Sequence, residues 1–134
     1  MEYAVGIILG IAVGIFSTVV GLDRDRALYP AILVVIASYY GLYAVLGGSN
    51  TAIVLETLVG LLFVAVAAVG FRVDLWIVAA GTVGHGIFDI FHHLIIENPG
   101  LPTWWPMFCM SIDITLGVYM AWLLWSKRVR VKPF

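Results

Sequence analysis

Six ionisable side chains stand in stretches otherwise too apolar to hold them: Glu56, His85, Asp89, His92, His93 and Asp113. On insertion scales a charged group at the centre of a spanning helix costs about 2.5–3.5 kcal/mol, so a chain that keeps several is expected to use them. All three histidines fall within residues 85–93. At ~100° per residue, Asp89 lies ~40° from His85, His92 ~20° the other way, and His93 ~80° away. His85, Asp89 and His92 therefore form one helical stripe, with His93 on its flank. Neutral imidazole is the commonest metal ligand, and carboxylates complete sites for Zn, Fe or Mn. The metal-ligand set read here is His85, Asp89, His92, His93 and Asp113. Asp89, Asp113 and Glu56 are the candidate catalytic carboxylates. With Zn, the leading ion, a zinc-activated water could attack an ester or amide, with a carboxylate as base. The same residues could instead relay ions or protons, or fix helix register as a hydrogen-bonded network. A haem held by two histidines of one chain is disfavoured, because all three share one helix.

These groups must be positioned by elements that can live in lipid. Hydrophobic residues make up 63% of the 134 positions and charged residues 11%. Soluble domains carry about 45–50% and 25%. A soluble fold of this size could not cover so much apolar surface, whereas a bilayer can. Seven Lys and Arg are too few for nucleic-acid binding, and the single Cys109 excludes an intrachain disulfide. The sequence predicts an all-α polytopic membrane protein, one transmembrane domain over 1–134. Its five spanning helices are expected at about 3–22, 28–47, 52–71, 75–96 and 106–125, each near the ~20 apolar residues a crossing needs. No basic segment precedes the first run, so it is expected to remain as a span. Each break has a cause. Asp23-Arg24-Asp25-Arg26 reads as too charged to bury. Gly47-Gly48-Ser49-Asn50 is turn chemistry. Arg72-Val73-Asp74 is a charged hinge, Glu97 to Pro102 a strong breaker, and Lys127 to Lys132 a basic tail.

All seven basic residues fall in the first loop, the third loop and the tail. With five helices those places share one side, so the positive-inside rule predicts N-terminus out and C-terminus in, in a multi-pass protein of the cell membrane. Trp104 and Trp105 at one end of helix 5, and Trp122 and Trp125 at the other, fit aromatic belts. In this orientation Glu56, Asp89, His92, Cys109 and Asp113 fall in the outer half, along with Tyr39, Tyr40 and Tyr43. One outward-facing polar chamber is expected.

Packing signals support the same arrangement. Cys109, Asp113 and Gly117 form a stripe on helix 5, and Glu56, Gly60 and Phe63 one on helix 3. Gly60 and Gly117 are expected to let those helices close on helix 4. Gly6, Gly10 and Gly14 form a small-residue stripe that suits close helix packing within the chain, or a homo-oligomer formed through that face. Ser38 and Tyr39 read as hydrogen-bonded interior groups. Met107, Cys109 and Met110 are soft enough for copper(I) but read as apolar filling. Gly81, Gly84 and Gly86 read as packing or a local kink.

The run His85-Gly-Ile-Phe-Asp89-Ile-Phe-His92-His93, followed by Asn98-Pro-Gly and Trp104-Trp-Pro, loosely resembles the intramembrane zinc hydrolases related to alkaline ceramidases and adiponectin receptors. That resemblance implies hydrolysis at an intramembrane zinc. Those proteins have seven helices and zinc-binding histidines on separate helices, whereas all the histidines here are on one. No residue role is carried over. The sequence thus favours a His/carboxylate site with a divalent metal and lipid-phase hydrolysis. A small oligomeric transporter or channel is the first alternative, and a structural or partner-binding subunit the second.

Overall fold

The charged and Gly-rich breaks divide the chain into α1 (Glu2–Val20), α2 (Leu28–Gly47), α3 (Asn50–Arg72), α4 (Leu75–Ile95) and α5 (Trp105–Trp125) in the computed structural model, which describes residues 1–133. Each helix is long and apolar enough to cross a membrane. Helices satisfy their own backbone polar groups, the condition lipid imposes on a crossing segment. Their ends are built from local chemistry. Gly21 and Gly48 end α1 and α2 in the left-handed region, at φ 88° and 70°. The Ser49 side chain accepts from Ala52 N at 3.2 Å and starts α3. The Asp74 side chain accepts from Trp76 N at 2.9 Å and starts α4. Pro106 stands in the first turn of α5, where its missing N–H costs nothing.

The helices α4 and α5 pack together at the centre, α2 and α3 pair beside them, and α1 lies on the far flank of α5. Buried Leu33, Leu75, Val78, Leu116, Met120 and Leu123 form the apolar core toward one end. That end gathers the basic residues. Arg24, Arg26, Arg72, Arg130 and Lys132 surround one recess there. The tail is tied into it: Leu75 N donates to Val131 O at 2.9 Å, and Arg26 donates to the carbonyls of Arg130 and Val131 at 3.0 Å each. The opposite end is closed by the 96–104 segment, where Gly100 packs backbone to backbone on Gly47 and the Tyr43 carbonyl.

Three expectations change in detail, and one that was open is narrowed. Asp23 is buried rather than solvated, because the Thr18 hydroxyl donates to it at 2.7 Å and also contacts the Tyr119 hydroxyl at 2.8 Å. The Gly6, Gly10, Gly14 stripe packs within the chain, the first of its two expected uses, against Ser111, Thr115 and Tyr119 of α5. Gly60 faces Ala37 of α2 rather than α4. Ser38 and Tyr39 are exposed rather than interior; the Ser38 hydroxyl donates to Val35 O at 2.7 Å, and the Tyr39 ring stacks edge-on with Trp105.

Candidate functional site

The face that α4 turns inward repeats every three or four residues: Val78, Thr82, His85, Asp89 and His92 are all buried. Its first half is apolar and its second half ionisable, so the helix carries its chemistry toward the end away from the basic residues. Glycines let α5 approach this face. A Cβ on Gly86 would meet Asp113 Cβ at 3.1 Å and Met110 O at 3.2 Å, and one on Gly117 would meet Ala79 O at 3.3 Å. Asp113 is held between these two close contacts and reaches across to α4.

The result is a three-residue centre. His85 Nδ1 lies 2.6 Å from Asp113 Oδ2 and 3.6 Å from Asp89 Oδ2. The Tyr40 hydroxyl of α2 donates to Asp89 Oδ1 at 2.6 Å. The edges of Phe63 and Tyr40 close on the His85 ring, with centroids at 4.7 and 5.7 Å. All three residues are essentially inaccessible: His85 is 1% exposed, Asp89 0% and Asp113 0%. One potential ligand atom from each lies within 4.8 Å of the others, so the group could hold a metal ion. Zn–N and Zn–O bonds of ~2.0–2.2 Å put ligand atoms ~3–4 Å apart, so around an ion the wider separations would close and the 2.6 Å His85–Asp113 contact would open.

Two further observations bear on that fit. Asp89 Oδ2 and Asp113 Oδ1 are buried without a hydrogen-bond partner. A buried acceptor left unmatched costs about 1–3 kcal/mol, more when charged. The second concerns charge. If both carboxylates are ionised, the one imidazole supplies at most one positive charge, whereas a divalent cation beside neutral His85 would balance both. In a low-dielectric interior an unbalanced charge is costly, so the donor set suits such an ion.

The expected single stripe divides in two. His92 is buried with a different partner, Glu56 of α3: its Nε2 lies 2.6 Å from Glu56 Oε1. The Asn98 side chain folds back from the loop and donates to the same oxygen at 2.9 Å and to Tyr40 O at 3.2 Å. Glu56 Oε2 is buried and unpartnered. The physical reason for the division is rise: seven residues at ~1.5 Å carry His92 ~10 Å along the axis from His85, although the two share a face. The Tyr40 ring stands between the clusters, 4.6 Å from the His92 ring centroid. His93 is exposed and lines a cavity of about 330 Å³ with His92, Asn98 and Met107 at the end of the bundle. The structure therefore brings together His85, Asp89 and Asp113, sets Glu56 and His92 beside them as a second pair, and leaves His93 on the rim.

Sequence reasoning missed the roles of Tyr40 and Asn98. Tyr40 carries a polar tip inside a span, a signal that it needs a partner there. Asn98 reads as part of the Asn-Pro-Gly turn, and nothing in its spacing announces that it turns back into the bundle. In comparisons with known proteins, no family, no curated protein and no solved structure matches the chain.

Proposed function

We propose that the protein is a multi-pass membrane protein whose His85, Asp89 and Asp113 bind a divalent metal ion for hydrolysis of an amphipathic substrate. The observation that carries this reading is the buried convergence of one imidazole and two carboxylates from two helices, with two carboxylate oxygens unpartnered. Zn is the ion proposed; one nitrogen and two or more oxygens also suit Mn or Fe(II). Three protein ligands leave coordination positions for substrate or water, the pattern of catalytic rather than structural sites. The ion would supply Lewis acidity and an activated water, and water would add across an acyl bond to give an acid and an alcohol or amine. The chain's own residues have separate tasks. Tyr40 holds Asp89 by its Oδ1, leaving Oδ2 for the ion. Phe63 and Tyr40 fix the His85 ring. The Glu56–His92 pair, against the other side of the Tyr40 ring, is available for proton transfer.

In the proposed orientation the basic end is cytoplasmic and the site lies in the outer half of the bilayer. The test is turnover. Zn-loaded protein in phosphatidylcholine vesicles is given a long-chain ester and a long-chain amide, beside Asp113→Asn. Metal-dependent cleavage, lost in the variant, supports the reading. Stoichiometric metal without cleavage of either substrate removes hydrolysis from it.

A second reading rests on the continuity of Asn98, Glu56, His92, Tyr40, Asp89, His85 and Asp113, each in contact with the next. Such a file suits a proton path. It is favoured if the purified protein carries no metal and vesicles containing it dissipate a pH gradient.

A further inference from the structure

The flank of the α2–α3 pair carries a cleft of about 220 Å³, and its walls do not match an ordinary helix contact. Gly41 and Gly60 line it. A Cβ on Gly41 would meet nothing within 4 Å, and one on Gly60 only Ala37 O at an ordinary 3.6 Å. This contrasts with Gly6, Gly86 and Gly117, where a Cβ would press on the neighbouring helix. Glycine at 41 and 60 thus serves no close approach of two helices. It leaves space.

That space is not purely apolar. Glu56 lines the cleft, along with the exposed side chains of Ser38 and Thr57. Glu56 is 2% exposed; its Oε1 is engaged by His92 and Asn98, and its Oε2 has no partner. A cleft on a lipid-facing flank with a carboxylate in its wall is a poor seat for an acyl chain alone. It is complementary to a ligand that is apolar along its length and donates hydrogen bonds at one end.

We propose that the α2–α3 cleft is a lateral binding site for a single-chain amphiphile whose head group donates hydrogen bonds to Glu56. The chain lies along the slot left by Gly41 and Gly60. The head meets Glu56 Oε2, and the other oxygen of that carboxylate is bonded to His92, whose ring packs on Tyr40 beside the three-residue centre. As a substrate route this inference rests on the hydrolytic reading above; as a binding site it does not.

The experiment uses full-length protein in phosphatidylcholine vesicles and three photoactivatable probes with a mid-chain diazirine: hexadecylamine, hexadecanol and hexadecane. The amine, the alcohol or both should label peptides of α2 and α3 around 38–41 and 57–60, well above the hexadecane probe. Labelling by the amine alone assigns a cationic head, and labelling by both a neutral donor. Gly41→Leu and, independently, Gly60→Leu should abolish the labelling by filling the slot. Glu56→Gln should reduce amine labelling about tenfold, the loss expected for one hydrogen bond to a charged group. Thermal unfolding of each variant identifies any that fail to fold, and the remaining ones carry the test. Equal labelling by hexadecane, or labelling unchanged in a folded leucine variant, overturns the proposal. Labelling that persists in Asp113→Asn after hydrolysis is lost would separate this site from the metal reading.

Discussion

His85 and Asp113 are 28 positions apart, on antiparallel neighbours α4 and α5, and meet at 2.6 Å with no water-accessible surface on the carboxylate. The contact depends on helix spacing as much as on the two side chains. Gly86, next to His85, and Gly117, one turn past Asp113, remove the side chains that would otherwise hold the helices apart. A buried polar contact of this kind is retained only where its surroundings over-determine it, here through close helix packing and the donors that complete the network.

The glycines of α1 and of the cleft should respond oppositely to the same change. A Cβ on Gly6 would fall 2.7 Å from the Phe108 carbonyl, which belongs to the α5 backbone and cannot rotate away. Gly6→Ala should therefore destabilise the protein by about 1–3 kcal/mol, the range for overpacking. Gly41→Ala, inside α2 with open space for the methyl, should instead stabilise by up to about 1 kcal/mol. Unfolding in detergent with increasing denaturant measures both. Equal effects would contradict the assignment of one glycine to packing and the other to space.

Tyr40→Phe keeps the ring against His85 and His92 and removes only the hydroxyl that donates to Asp89. It leaves a second oxygen of a buried carboxylate without a donor, a loss of about 1–3 kcal/mol in the protein without metal. Bound metal should reduce the loss, because Asp89 then has a cation to neutralise it. Thermal unfolding of Tyr40→Phe with and without added Zn checks this; a loss that zinc does not diminish would argue against Asp89 as a ligand.

The helices were legible because lipid imposes a simple rule on composition, and the breaks at 23–26, 47–50, 72–74 and 97–102 are all of residues that cannot continue an apolar span. Asp113 was legible from its stripe with Cys109 and Gly117, all three buried on one face of α5. The partition of the histidines was not. Angle alone groups His92 with His85, whereas partner choice depends on axial position, and at its own level His92 meets Glu56. Asn98 was invisible for another reason: periodicity says nothing about a loop side chain, and its contacts with Tyr40 and Glu56 span 58 and 42 positions. Gly60 faces α2 rather than α4, a difference the sequence does not carry because a small residue announces an approach or a gap without saying which helix it faces.

The proposed orientation has its own test. In a background with Cys109 replaced by Ala, a cysteine at Ser49 should react with a membrane-impermeant maleimide added to intact cells. A cysteine at Ser126 should react only after permeabilisation. Labelling of Ser126→Cys from outside would reverse the topology, placing the basic recess of Arg24, Arg72 and Lys132 on the outer surface.

The central claim is that His85, Asp89 and Asp113 bind a metal ion, and elemental analysis of protein purified without chelator and without a histidine tag tests it most directly. About one equivalent of a divalent transition metal per chain is expected, the number one three-ligand site holds. Asp113→Asn and His85→Ala should lose it. His93→Ala, on the exposed rim, and His92→Ala, in the separate pair with Glu56, should keep it. Absence of metal from the folded parent even after incubation with Zn, Mn or Fe(II), or full metal content in the Asp113→Asn and His85→Ala proteins, would contradict the account and leave the cluster as a hydrogen-bonded network.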